Sequence, residues 1–330
     1  MGETTLYLVR RLAQMVVTLW IIATLIFVLL RMAPGDPASV IIDPTFPASV
    51  KAQLMHEYGL DKSVPEQYLL YVKNLATGNF GVSFFSREPV IDDIAGKALN
   101  TATLALAAFL FAYPLGIAAG AYLANRRKTW KEAVGLSVAM FFRSAPGFWV
   151  GMLALMLFSF KLGWFPAAGM RDAGYDSSGT LDTFFSLDFL HHLMLPAIVA
   201  GLEFLVLPLL LTRTSMLDVL DEDYVELARA KGLSRRRIQY HHALRNAMLP
   251  VVTEAAVFIG LAFGALTVIE VVFSWPGLGR EIALAVTRHD YPVAQAAFLL
   301  LAVLVSVMNV VADLLYRRLD PRISFRASNA

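Results

Sequence analysis

The 330-residue chain is 57% hydrophobic and only 16% charged, with a net charge of +2 and a mean hydropathy of +0.60. A soluble domain carries about 25% charged residues, so much of this surface must face lipid. The absence of cysteine excludes disulfides, thiolate metal sites and cysteine nucleophiles.

After Arg10 and Arg11, the apolar run 12–30 approaches the roughly 20 residues a bilayer span needs and exceeds a usual signal-peptide core. No small-x-small cleavage site follows, so the run reads as a retained first span. A long segment comes next, with helical apolar spacing over 50–58 and 64–75, punctuation at Gly59 and Pro65, and a turn from Gly78 to Gly81. It reads either as a packed external cap or as a docking surface for a partner. Five further apolar stretches follow, at 101–124, 132–160, 190–211, 251–273 and 294–316, each of about 20 residues or more with polar or turn residues on its flanks. Gly116 with Gly120, and Gly260 with Gly264, are small pairs one turn apart, a spacing that lets helices approach closely. In the turn from Trp275 to Gly279, Pro276 fixes one dihedral and the glycines relax others, so the chain can re-enter the membrane tightly. Trp275 is expected at the headgroup level, where aromatic rings are enriched.

Six spans put both termini on one side. Lys and Arg in the short connections set which side, because cations are retained in the cytoplasm. One side receives Arg10, Arg11, Arg126, Arg127, Lys128 and Lys131, the loop carrying Arg229, Lys231, Arg235, Arg236, Arg237 and Arg245, and the tail with Arg317, Arg318, Arg322 and Arg326. The other side offers little more than Arg171, Arg280 and Arg288. Both termini and the basic loop are therefore expected in the cytoplasm. Arg143 in the third span and Glu203 in the fourth lie deepest, at similar depth on consecutive spans, where a lone charge is costly. They read as an ion pair or as separate charges lining a pathway, to which Glu254 and Glu270 are added as candidates.

The stretch 221–250, DEDYVELARAKGLSRRRIQYHHALRNAMLP, is the most polar part of the second half. Asp221, Glu222 and Asp223 suit the first turn of a helix, Lys231 its last turn, and Gly232 a left-handed C-cap. Ser234 can cap a second helix that continues from Arg235 toward Met248 and stops before Pro250. On these residues alone the stretch is a solvated loop whose cations fix topology, or a docking element. Around Glu226, Ala228 and Gly232 it resembles the cytoplasmic EAA loop of ABC importer permeases, the element that docks into a groove on the ATPase subunit. The likeness is closest to the dipeptide/oligopeptide/nickel branch, through DYVELARAKGLS at 223–234 and HALRNAMLPVVT at 242–253. Leu227 stands where the general EAA pattern has its middle alanine, and Leu244-Arg245 replaces its Leu-Pro. LRMAPGDP at 30–37, YGLD at 58–61, WFP at 164–166, FSWPGLG at 273–279, DYP at 290–292 and LDPRI at 319–323 are similar to the same branch, so the resemblance spans nearly the whole chain.

That resemblance implies an all-α membrane protein with six transmembrane helices, in the type I ABC importer permease fold with a cytoplasmic coupling loop. The expected division is 1–31 for the N-terminal segment and first span, 32–100 for an external helical segment, and 101–330 for a five-helix core with coupling loop 214–250 and a cytoplasmic tail. The residues implied in coupling to the ATPase are Asp223, Tyr224, Glu226, Ala228, Lys231, Gly232, Ser234, His242 and Asn246. The implied partners are a second homologous permease, two ABC ATPase subunits carrying ATP and Mg, an external substrate-binding protein and a peptide substrate, in a bacterial or archaeal cytoplasmic membrane. Relatives in the family carry nickel or other small solutes. A different class, a stand-alone channel or secondary transporter, is disfavoured by the lack of a repeated half. A membrane scaffold with no transport role is a third reading.

The chemistry that is missing supports a non-enzymatic role. No G-x4-G-K-[ST] phosphate loop is present, and Gly96-Lys97 lacks the glycine frame, so ATP hydrolysis is assigned to partners. His191-His192 and His241-His242 are adjacent pairs rather than i, i+4 pairs and are read as lacking a carboxylate or further histidine at ligand spacing, so no metal or other cofactor is expected on this chain. No nucleophile–base arrangement stands out. The basic loop lacks the interleaved aromatics of a nucleic-acid binder.

Overall fold

A computed structural model describes residues 3–32, 49, 55–56, 59, 61–174 and 184–319, with side-chain surroundings given for all of these except 3–8, 256–257, 259–261 and 312–319. The expected helix over 50–58 apart from residues 55 and 56, the motif residues 33–37 and 320–323, and the surroundings of Gly260 lie outside that set. The described residues form helices and no strand beyond the single bridge between Val82 and Pro89. In chain order these are α1 (Glu3–Met32), α2 (Val64–Ala76), α3 (Val90–Ala124), α4 (Trp130–Ser144), α5 (Gly147–Ala154) running into a π-helical stretch Leu155–Lys161, α6 (Leu187–Phe204) and α7 (Val206–Leu220). Then come α8 (Asp223–Ala230), the turn α9 (Arg235–Arg237) running through a π-helical stretch Ile238–Ala243 into α10 (Leu244–Val272), α11 (Leu278–Thr287) and α12 (Tyr291–Leu319).

Four stretches among the described residues are long and apolar enough to cross a membrane: Val9–Met32, Val90–Ala124, Leu187–Phe204 and Tyr291–Val311. A fifth is the pair Trp130–Ser144 and Gly147–Lys161, bent by 102°. The third expected span is therefore broken rather than straight. Pro146 is the cause: it has no N–H to donate, and it drives Ala145 into extended backbone with φ −71 and ψ 131. α10, at 29 residues, carries most of the fifth expected span and runs through Pro250, so the second loop helix does not stop there as expected but continues into the span.

The chain clusters into two compact units. The first comprises Met1–Thr101 and Pro276–Ser306, so the C-terminal stretch 276–306 folds with the N-terminal part. Its core brings Ile26 and Leu30 of α1 together with Val90 and Ile94 of α3, Leu278 and Ile282 of α11, and Tyr291, Val293, Ala294 and Ala297 of α12. α2 starts where expected: the Glu66 carboxylate accepts from the Ser63 hydroxyl at 2.8 Å and from the Ser63 N–H at 3.0 Å. Those hydrogen bonds hold the Glu66 carboxyl below the ordinary carboxylate range. α2 lies along α1 through stacking of Tyr71 on Phe27 at 5.6 Å and a 2.8 Å hydrogen bond between the hydroxyls of Tyr68 and Thr24. Asp290, 3% exposed, explains the DYP motif physically. Its carboxylate accepts from the Ser83 hydroxyl at 2.5 Å and from the N–H groups of Phe84, Phe85 and Val293 at 3.1, 3.2 and 3.4 Å. One side chain thus caps α12 and fastens the turn before α3.

The second unit comprises Ala102–Trp275 and Val307–Ala330. Its largest apolar cluster draws on α3, α5, α6 and α10, including Leu104, Ala108, Leu155, Phe189, Leu193, Phe204, Leu266 and Phe273. Glycine makes the packing of α3 on α7 possible. A Cβ at Gly116 would stand 2.7 Å from the Leu205 carbonyl oxygen and 2.9 Å from Pro208 Cγ, and one at Gly120 would run into the Leu209 carbonyl oxygen and Thr212 Cβ. Gly264, in contrast, has open space around it among the described residues. Two expectations for the turn after α10 are corrected. Trp275 is 0% exposed and packs on Phe189 at 5.9 Å between ring centroids, so it is a core residue and not a headgroup anchor. The left-handed residue is Ser274, with φ +50, while Gly277 is extended with φ −98. The chain turns at Ser274, which lets Trp275 donate its N–H to the Glu270 carbonyl and fold back inward.

Candidate functional site

The polar loop between α7 and α10 builds as its residues dictate. Asp223 and Glu226 lie in the first turn of α8, on the side of the positive dipole end. Lys231 closes the helix, and Gly232 follows at φ +78 with nothing within 4 Å of a would-be Cβ, so backbone conformation and not crowding favours glycine there. The Ser234 hydroxyl accepts the N–H of Arg237 at 3.4 Å and starts α9. Val225 and Ala228 of α8 pack against Ile238, with Leu220 and Leu233 around them. This small apolar cluster holds α8 in place at the turn.

The sequence-derived residues divide cleanly on this frame. Asp223, Tyr224, Glu226, Lys231, Gly232, Ser234 and Asn246 are exposed, His242 is half-buried in the π-helical stretch, and Ala228 is buried. Tyr224 and Asn246 are brought together: the Asn246 amide donates to the Tyr224 hydroxyl at 2.7 Å, tying α8 to α10. Leu227, the departure from the alanine pattern, is 57% exposed and presents an apolar side chain beside Asp223 and Glu226. α8 therefore offers an acidic and apolar outer face, while α9 supplies three consecutive arginines, all exposed.

The span charges behave differently. Arg143 lies in the last turn of α4, exposed, and Glu203 is half-buried in the last turn of α6. No ion pair joins them among the described residues. A Cβ on Gly147, at the start of α5, would stand 3.3 Å from Glu203 Oε2, so this carboxylate lies against the first turn of α5. The break at Pro146 redirects the chain just after Arg143, which is why depth counted along a straight helix does not give the pairing. Glu254 accepts a 2.8 Å hydrogen bond from the Tyr113 hydroxyl, and its buried Oε1 has no hydrogen-bond partner among the described residues. Glu270 is fully buried.

Sequence reasoning missed a second polar element at the base of the loop. Glu132 of α4 accepts from Arg213 of α7, through Nε at 2.9 Å and through Nη2, and from the Lys128 N–H at 2.6 Å. Lys128 itself is left-handed, with φ +63. The available signal was an acid three residues after Thr129 at the N-cap position, next to a cation cluster.

Comparison with known proteins fixes the family. Residues 112–325 match the binding-protein-dependent transport system inner membrane component, and residues 5–107 match the N-terminal part of such membrane components. The chain belongs to this permease family. As an inner membrane component of a transport system it is a permease and is not itself the catalytic part. This permease is 41% identical over 333 residues to the di/tripeptide transport system permease protein DppB of Pseudomonas aeruginosa, covering 96% of this chain and 98% of that one. It is 37% identical over 320 residues to the glutathione transport system permease protein GsiC of Escherichia coli K12, covering 97% and 99%. The Shigella dysenteriae GsiC gives the same 37% over 320 residues.

Proposed function

We propose that this permease is the transmembrane subunit of an ATP-driven importer of di- or oligopeptides. The observation that carries the substrate class is similarity along nearly the full length to permeases named for di/tripeptide and glutathione transport. The chain crosses the membrane six times with both termini in the cytoplasm, and α8 with its Gly232 turn docks into an ATPase subunit. Support comes from the loop's own build: an exposed acidic and apolar helix face, fixed to α10 by Tyr224–Asn246 and to the π-helical stretch by the Val225–Ile238 contact, stands next to a left-handed turn that favours glycine. α10 begins immediately after this loop, so movement of the docked helix passes straight into a span. Two ATPases carry ATP and Mg, a second homologous permease completes the pathway, and an external binding protein delivers the peptide. Arg143, Glu203, Glu254 and Glu270 are proposed for the pathway; of these, the half-buried Glu254 with its unpartnered oxygen is best suited to a substrate's ammonium group.

Affinity purification of the tagged chain from its native membrane tests the assembly, and uptake of a labelled dipeptide by cells lacking the chain tests the cargo. An ATPase subunit co-purifies and uptake is lost if the reading holds. Recovery of the chain alone, active in transport, would establish a stand-alone carrier. Loss of nickel uptake with dipeptide uptake intact would overturn the peptide assignment.

A further inference from the structure

Away from the loop, the start of α6 gathers a histidine and two carboxylates that the sequence does not show as a group. His192, Asp188 and Asp172 place one ligand-capable atom each within 4.8 Å of one another. Asp188 precedes His192 by one helical turn, and Asp172 arrives from the preceding segment. The His192 side chain is only 3% exposed. Its Nδ1 lies 2.9 Å from the Asp188 carbonyl and 3.3 Å from Asp188 Oδ1, two acceptors that call for N–H on that nitrogen and leave Nε2, with its lone pair, as the ligand atom. That lone pair faces Asp172 Oδ1 at 3.7 Å, beyond hydrogen-bond reach, so an acceptor points at a carboxylate.

We infer that His192 Nε2, Asp172 and Asp188 form a site for a first-row divalent cation such as Zn2+. A cation at Nε2 takes Asp172 as its facing ligand and draws in the Asp188 carboxylate, which lies on the Nδ1 side of the ring, within the same 4.8 Å group. The ring nitrogen opposite the metal donates to a backbone carbonyl, the arrangement that orients metal-bound histidines. One imidazole with two carboxylates is a nitrogen/oxygen set that suits zinc and its neighbours, whereas calcium and magnesium take oxygen ligands alone. Zinc bonds of about 2.0–2.2 Å require closer ligand atoms than 4.8 Å, and the movable member is Asp172, 83% exposed. Asp188 is held in place by the Asp172 N–H, which donates to its Oδ2 at 3.2 Å. The segment before Asp172 is already tied to α6 by a 2.7 Å hydrogen bond between His191 Nε2 and the Trp164 carbonyl. The cation closes a second clasp on the same segment. This inference is independent of the transported cargo.

The test uses the full-length chain in its purified complex, carried on a tag without histidines and stripped with a chelator. Zn2+ is titrated against a chromophoric chelator, and Co2+ is added to report ligand geometry through its visible absorption. The expected result is one saturable site per chain, weakened at least about tenfold in Asp172→Asn and lost in His192→Gln. Asp172 is a surface side chain, so its variant folds and decides the matter even if the histidine variant does not. Absence of a saturable site in the wild type, or unchanged affinity in Asp172→Asn, overturns the assignment.

Discussion

Glu132→Gln is the sharpest test of how the coupling loop is anchored. The Glu132 side chain is 9% exposed and that of Arg213 23%, and Arg213 is the last residue before the loop at 214–250. Glutamine keeps the size but puts an amide donor among the guanidinium and the Lys128 N–H. Breaking a sealed charge pair by removing one partner costs about 3–5 kcal/mol. Arg213 retains some contact with water, so for Glu132→Gln we expect about 2–3 kcal/mol. Arg213→Met leaves the less exposed carboxylate with only the Lys128 N–H, and about 3–4 kcal/mol is expected. If the two side chains act as a pair, the double variant loses less than the sum, with a coupling energy of about 1.5–3 kcal/mol. The assay is unfolding of the purified complex in a dodecyl sulfate titration, with peptide-stimulated ATP hydrolysis measured alongside. Losses that add to within about 0.5 kcal/mol would refute the pair as an anchor.

Three further outcomes are expected. Gly232→Ala imposes a left-handed alanine at a cost of about 1–2 kcal/mol, and the β-branched Gly232→Val costs more; both leave the chain inserted while ATPase association and transport fall in that order, and full stimulated hydrolysis in the valine variant would remove the turn from the mechanism. Arg143→Met and Glu203→Gln, being unpaired with each other, add in folded yield to within about 0.5 kcal/mol, whereas rescue in the double variant would restore an ion pair. In this cysteine-free chain, Phe185→Cys is labelled by a membrane-impermeant thiol reagent on intact cells and Ser234→Cys is not; labelling of Ser234→Cys overturns the orientation.

The loop was the most legible part of the sequence because its signals are local. A cap at Ser234, a left-handed glycine at 232 and an acid in the first turn of α8 depend on neighbours a few residues away; the first two stand where the spacing puts them, and of the three expected acids only Asp223 lies in that turn, Glu222 being its N-cap and Asp221 the C-cap of α7. The Gly116 and Gly120 stripe was legible for the same reason, since its spacing is a property of one helix. What escaped depends on distant chain. Nothing near Trp275 announces that it packs inward on Phe189, and composition gave the opposite expectation. The helix break at Pro146 was visible as a proline, but a 102° bend was not, and the Arg143–Glu203 pairing drawn from a straight helix fell with it. The His192 cluster needed Asp172 from 20 residues away, although Asp188 sits at helical spacing and was overlooked.

The Asp290 carboxylate has a consequence in time. It completes the turn at Ser83, 207 positions earlier, and the apolar partners of Val90 and Ile94 on α11 and α12 lie in the same late stretch. A ribosome adding about 5–20 residues per second needs about 10–40 s to make the intervening chain. Throughout that interval the first unit has emerged with half its core unmade and the turn before α3 without its acceptor. A stop codon before 278 therefore leaves a product whose earliest-made portion lacks every α11 and α12 side chain of its interior.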